Sequence, residues 1–220
     1  MTMLAVNQLI GFGAGGSALP TLSYRATTAS ATDLTTYTFS AADIGAVGGT
    51  RMVFVGINGA FPTGPRSVSS CTIDGVTATY LGVRAESAQS VCEFWAAATG
   101  SNATGDVVVV WSAGVGRCVI HVWAAYDLTS MTPNDTATST TDPTVLNVDV
   151  QANGMILGIA ATVDSSTYTW TGLTERYDAI TETNAFTSAD SSNMAQETNR
   201  TVTADPSGAS NRSGISIALR

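Results

Sequence analysis

The 220-residue sequence predicts an all-β fold: an antiparallel β-sandwich of jelly-roll type with an extended N-terminal arm. Short apolar runs rich in Val, Ile, Phe and Trp recur along the chain, and Gly-rich or Asp-Gly turns separate them. Roughly ten to twelve such strands follow one another with no credible long helix, which is the pattern of a sandwich or jelly roll. Charged residues make up only 12%, about half the usual share, and the basic residues are all Arg. Ser, Thr, Asn and Gly therefore form the surface.

Residues 1–32 read as the arm. Leu4, Val6, Leu9, Ile10 and Phe12 are its apolar anchors for a partner, and the segment around Pro20 is extended. Gly11, Gly13 and Gly16 satisfy the spacing of a dinucleotide loop, but Pro20 follows with no amphipathic helix to receive a pyrophosphate. No cofactor is expected.

Residues 33–220 read as one sandwich domain. Thr35–Ser40 alternates, and Ser40-Ala-Ala-Asp43 resembles a capping box opening one turn of helix. Arg51–Asn58 is a core strand. Asp74-Gly75 is a two-residue hairpin signal between Cys71–Ile73 and Val76–Val83. The stretch Ser90–Leu128 then reads as three consecutive strands at the centre of the fold, covered on both faces or nearly so. Residues 129–143 form the longest polar stretch, either a partner-facing loop or a solvated crossover. Val145–Val150 alternates and Met155–Val163 is fully apolar. Thr171-Gly172 suggests a second hairpin, and three short strands close the sheets.

The net charge of −8 argues against nucleic acid and anionic membranes as partners. No apolar run approaches the ~18–20 residues that span a bilayer. The N-terminus lacks the basic region of a signal peptide, and an odd set of cysteines (Cys71, Cys92 and Cys118) falls inside strands. Buried reduced thiols and folding in a reducing cytoplasm are expected.

No catalytic constellation emerges, and the chain is not expected to be an enzyme. His121 sits on a strand face with no sequence cue for a nucleophile beside it. The carboxylates Asp127, Asp135, Asp142, Asp164, Glu175 and Asp178 lie near loops or strand ends, without the D-x-D-x-D-G spacing of a calcium loop. A glycosidase needs two of them about 5–9 Å apart, which spacing along the chain does not supply. Tyr168, Trp170 and Tyr177, with Glu175 and Arg176 between them, are candidates for a ligand or partner surface, although aromatics at strand positions also fill cores.

Several segments in order resemble a known family. They are Tyr37-Thr-Phe39 leading to Asp43-Ile-Gly45, Arg51-Met-Val-Phe-Val-Gly56, and Val68–Ala78. Phe94-Trp95-Ala-Ala-Ala98 with Gly105–Val110 follows, then Trp170–Asp178. The order is similar to β-sandwich proteins encoded among the structural genes of tailed phages and prophages, over residues 33–220. Ile10–Gly16 is similar to the start of phage virion proteins. The resemblance implies a structural component of the virion, assembled in the host cytoplasm. A head decoration, cement or spike protein anchored through its arm comes first. The alternative is a tail or fibre component acting as a carbohydrate-binding or host-adhesion module. Implied partners are the major capsid protein or tail proteins and further copies of the chain, most simply a trimer, with a glycan under the alternative. The family supplies no functional residues.

Overall fold

Four antiparallel sheets are stacked face to face in a computed structural model that describes residues 18–61, 63, 64, 66–208 and 211–220. The arm anchors Leu4, Val6, Leu9, Ile10 and Phe12 lie outside the described residues. Seventeen strands are present among the described residues, and no helix.

The first half contains β1 (Thr21–Ser30), β2 (Leu34–Asp43), β3 (Met52–Ala60), β4 (Val68–Ile73), β5 (Val76–Thr77), β6 (Thr79–Glu86), β7 (Ser90–Ala98), β8 (Thr104–Val115) and β9 (Arg117–Tyr126). Its strands form a first sheet ordered β1-β9-β3-β7-β6 and a second ordered β2-β8-β4-β5. The second half contains β10 (Asp135–Ser139), β11 (Thr144–Val150), β12 (Gly154–Thr162), β13 (Tyr168–Thr171), β14 (Thr174–Thr181), β15 (Asn184–Met194), β16 (Glu197–Pro206) and β17 (Ser213–Leu219). These form a third sheet ordered β10-β17-β12-β15-β14 and a fourth ordered β11-β16-β13.

The two orders are the same. Replacing β1, β9, β3, β7 and β6 by β10, β17, β12, β15 and β14 converts the first sheet into the third, and β2, β8 and β4 become β11, β16 and β13. Each half is thus a jelly roll. Register supports the equivalence: Met52 pairs with Ala125 as Met155 pairs with Leu219, and Phe54 pairs with Trp123 as Leu157 pairs with Ile217. One sandwich was expected over residues 33–220; two are found, back to back.

Burial explains the two kinds of strand in the sequence. The first and third sheets are covered on both faces, so β9 and β12 are buried almost without interruption, and β3 and β7 nearly so. The second and fourth sheets have an outer face, and β11 alternates buried and exposed. Three apolar layers result. Tyr37, Val55, Val109 and Ile120 belong to the layer between second and first sheets. Phe54, Phe94, Trp123, Leu157, Phe186 and Ile217 fill the seam between the halves. Leu146, Ile156, Trp170 and Val202 lie between third and fourth. Across the seam β3 lies over β12, the β6 edge faces β10 and β17, and the β1 edge faces β14 and β15. This is the reciprocal arrangement of an isologous pair.

Several expectations are corrected. Thr21–Ser30, placed in the arm, pairs along β9 from Tyr126 to Cys118 and closes the edge of the first sheet. Ser40–Asp43 opens no helical turn. It stays in β2 through a bulge at Ala41 (φ 52°), whose N–H donates to Asp106 Oδ1, because Phe39 and Ala42 must both face the core. Of the three central strands, β7 and β9 flank β3 in the first sheet, whereas β8 crosses to the second and exposes alternate residues. Residues 135–139, within the expected polar loop, pair with β17. Thr171-Gly172 joins strands of different sheets and forms no hairpin. The Asp74-Gly75 turn forms, with positive φ at both residues, but its second arm is only Val76–Thr77: from Thr79 the expected strand Val76–Val83 crosses to the first sheet as β6.

Candidate functional site at the edge of the first sheet

The aromatic residues expected at a surface are used for packing. Tyr168 and Trp170 are buried between the third and fourth sheets, and Trp170 Nε1 donates to Thr187 Oγ1 at 2.8 Å. The indole lies over Gly158, where a Cβ would come within 2.8 Å of the ring. Tyr177 is half-buried in the seam, 5.5 Å from the His121 ring. The three do not form one surface.

His121 is fully buried on β9 and hydrogen-bonds Thr27 Oγ1 through Nδ1 at 2.7 Å. Burial pushes its pKa down to about 3, which keeps the ring neutral. Two residues along β9, Trp123 donates through Nε1 to Asp190 at 2.8 Å, and Asp190 also accepts from Nε and Nη2 of Arg176, each at 2.9 Å. These contacts tie β9 to β14 and β15 across the seam. Burial raises the Cys71 and Cys92 thiols to about 12 and the Cys118 thiol further, so none is a ready thiolate. Among the described residues no three His, Cys, Asp or Glu side chains converge as a metal site requires.

A different site emerges on β6, the outer strand of the first sheet. Tyr80 stands opposite Trp95 and Arg84 opposite Glu93. Three residues separate the pair on β6 and only Phe94 separates its partners on β7, so β6 carries a bulge, with Gly82 at φ +76°. The bulge turns Leu81 and Val83 toward the seam and leaves Tyr80 and Arg84 on the other side with Trp95 and Glu93. Tyr80 is 41% exposed, and its ring centroid is 5.3 Å from that of Trp95.

Glu93 anchors the floor. It is 2% exposed, accepts from Trp95 Nε1 at 3.0 Å and from the Val68 N–H at 3.1 Å, and so locks the indole in orientation. Burial raises its pKa, against the opposing effect of those two hydrogen bonds. Arg84 reaches Glu86 Oε2 at 3.1 Å, and Glu86 Oε1 accepts the Arg66 N–H at 3.0 Å. A shallow cleft of 130 Å³ lies among Ser67, Val68, Tyr80, Arg84, Glu93 and Trp95. On the far side of Arg84 a second cleft of 410 Å³ continues along Ala85 and Glu86 to the hydroxyl row Thr138–Thr141. Arg84 lines both. Sequence reading missed this groove because its aromatic pair is fifteen positions apart in the chain and meets only through strand register. Gly82 inside a strand was the one local signal of a bulge.

The groove combines an exposed aromatic face, a guanidinium, a carboxylate and several hydroxyls. Concave sites with an aromatic face and a few placed polar groups are suited to holding a ligand. No family model and no curated protein matches the sequence.

Proposed function

We propose that the protein is a non-enzymatic structural component of a tailed-phage particle, foremost a head decoration, cement or spike protein, with a tail component as the other placement. The observation that supports this best is the jelly-roll strand order present twice and stacked through a continuous apolar seam. Jelly rolls are a recurrent architecture of capsid and lectin domains, and a four-layer stack makes a stiff spacer. The polar groups along the seam and in the cores are taken up in packing: His121, Asp190 and the three thiols are buried, and the Trp170 indole bonds Thr187. In this reading the segment before β1, with Leu4, Val6, Leu9, Ile10 and Phe12, adds buried apolar contact with the major capsid protein or a tail protein.

The experiment is localisation on purified particles of the encoding phage or induced prophage. Mass spectrometry is expected to find the protein in the particle; its absence overturns the reading. Deleting residues 1–17, which leaves β1 intact, is expected to release a folded protein from the particle. Retained attachment removes the anchoring role of that segment.

A further inference from the structure

We infer that the groove across β6 is a binding site for a neutral saccharide, with one sugar ring on Tyr80 and the chain continuing past Arg84 toward Thr138–Thr141. This goes beyond a role as a particle component and does not depend on it.

Four observations carry the inference. Tyr80 is a large aromatic left 41% exposed where β6 could have turned it inward, and Trp95 beneath it is held by a hydrogen bond to a buried carboxylate. A rigid aromatic floor of this type packs against the apolar C–H face of a pyranose ring with little entropy to lose on binding. Next, Arg84 lines both clefts and its ion-pair partner Glu86 lines the larger one, so that a fork of donors and a carboxylate acceptor can bond vicinal hydroxyls. Thr138, Ser139, Thr140 and Thr141 line the larger cleft, a run of hydroxyl residues whose groups both donate and accept, with Ser139 Oγ and Thr141 Oγ1 2.9 Å apart. Finally, the net charge of −8 and the two carboxylates beside Arg84 disfavour an anionic polymer, leaving a neutral sugar as the matching ligand.

The groove also crosses a sheet edge, which raises the competing occupant, a peptide added as a further strand. The bulge at Leu81–Val83 breaks the hydrogen-bonding row that such a peptide would extend, and the edge carries Arg84. The saccharide is favoured for that reason.

The test uses the full chain and a broad array of neutral and acidic glycans, followed by titration of the best neutral oligosaccharide. Wild type is expected to bind a subset of neutral glycans. Tyr80→Ala is expected to weaken binding by about tenfold or more, while a cooperative thermal transition shows that the variant is still folded. Arg84→Ala is expected to weaken it less. Silence across the array overturns the inference. So does binding that survives Tyr80→Ala, or binding confined to acidic glycans. Capture of an extended peptide instead, insensitive to Tyr80→Ala, overturns it in favour of strand addition. None of these results bears on whether the protein is found in particles.

Discussion

Gly56 on β3 lies directly against Ile159 on β12: a Cβ added to Gly56 would sit 2.8 Å from Ile159 Cγ2, 3.1 Å from Phe94 and 3.2 Å from Trp123. The two residues hold equivalent positions in the two jelly rolls, four residues beyond Met52 and Met155. At this point of the seam a side chain from one half fills the space that its counterpart in the other leaves empty.

Gly56→Ala is expected to destabilise the protein by about 1–3 kcal/mol through overpacking. Combining it with Ile159→Ala is expected to cost less than the sum of the two single changes, since alanine lacks the Cγ2 methyl that conflicts with the new Cβ. Urea unfolding of the two single variants and the double variant measures the coupling.

Asp190→Ala is expected to cost roughly 2–4 kcal/mol. It removes the acceptor for a buried indole N–H and the partner of Arg176, whose own partial exposure (39%) keeps the cost below that of a fully buried pair. Asp190→Asn is expected to lose less, because an amide oxygen still accepts one bond. Denaturant midpoints rank the two.

His121 makes stability depend on pH. Its pKa in the folded protein is pushed down to about 3, below the ordinary value of 6.5, so the unfolded chain binds the extra proton between those values. Stability is then full above about pH 6.5 and falls as the pH drops toward 3, by up to ~1.4 kcal/mol per pH unit. The raised pKa of Glu93 acts in the opposite direction. The difference between wild type and His121→Gln, followed by urea unfolding from pH 7 to pH 4, isolates the histidine. A difference that does not change with pH refutes this account.

Trp170→Ala is expected to cost about 3–5 kcal/mol, the penalty of a cavity beneath Gly158 with Thr187 losing a donor. Thermal unfolding reads it. A loss of ligand binding in this variant would report damage to the core between the third and fourth sheets, whereas Tyr80→Ala tests a surface.

The sequence reveals strands better than it reveals layers. Met155–Val163 and Cys118–Ala125 are apolar at nearly every position, which says that both faces are covered but not by what. A second sandwich and a partner chain would leave the same trace. The repeat is faint because Met52-Val-Phe-Val-Gly56-Ile57 and Met155-Ile-Leu-Gly158-Ile159-Ala160 share hydropathy and little identity. The clearer echo, Trp-Ala-Ala in β7 and β9, joins strands that flank β3 within one sheet and are not each other's counterparts. At the candidate site, Trp170 stood out among polar residues and proved to be core. Tyr80 and Trp95 carry no local pattern, since a cross-strand pair exists only once register is fixed.

The reciprocal seam has a further consequence. When two identical chains meet about a two-fold axis, every side chain at the junction occurs twice, and a charge placed on one flank is forced on the other. Here both copies belong to one polypeptide, and the flanks differ. Trp123 and Asp190 hydrogen-bond on one side, while the residues at their counterpart positions, Ile217 and Ala96, are apolar. Covalent linkage has released this molecule from symmetry, so each flank specifies the pairing of the halves through polar contacts of its own: Trp123 with Asp190 on one, and Ser90 with Ser213 Oγ and the Asn211 carbonyl on the other.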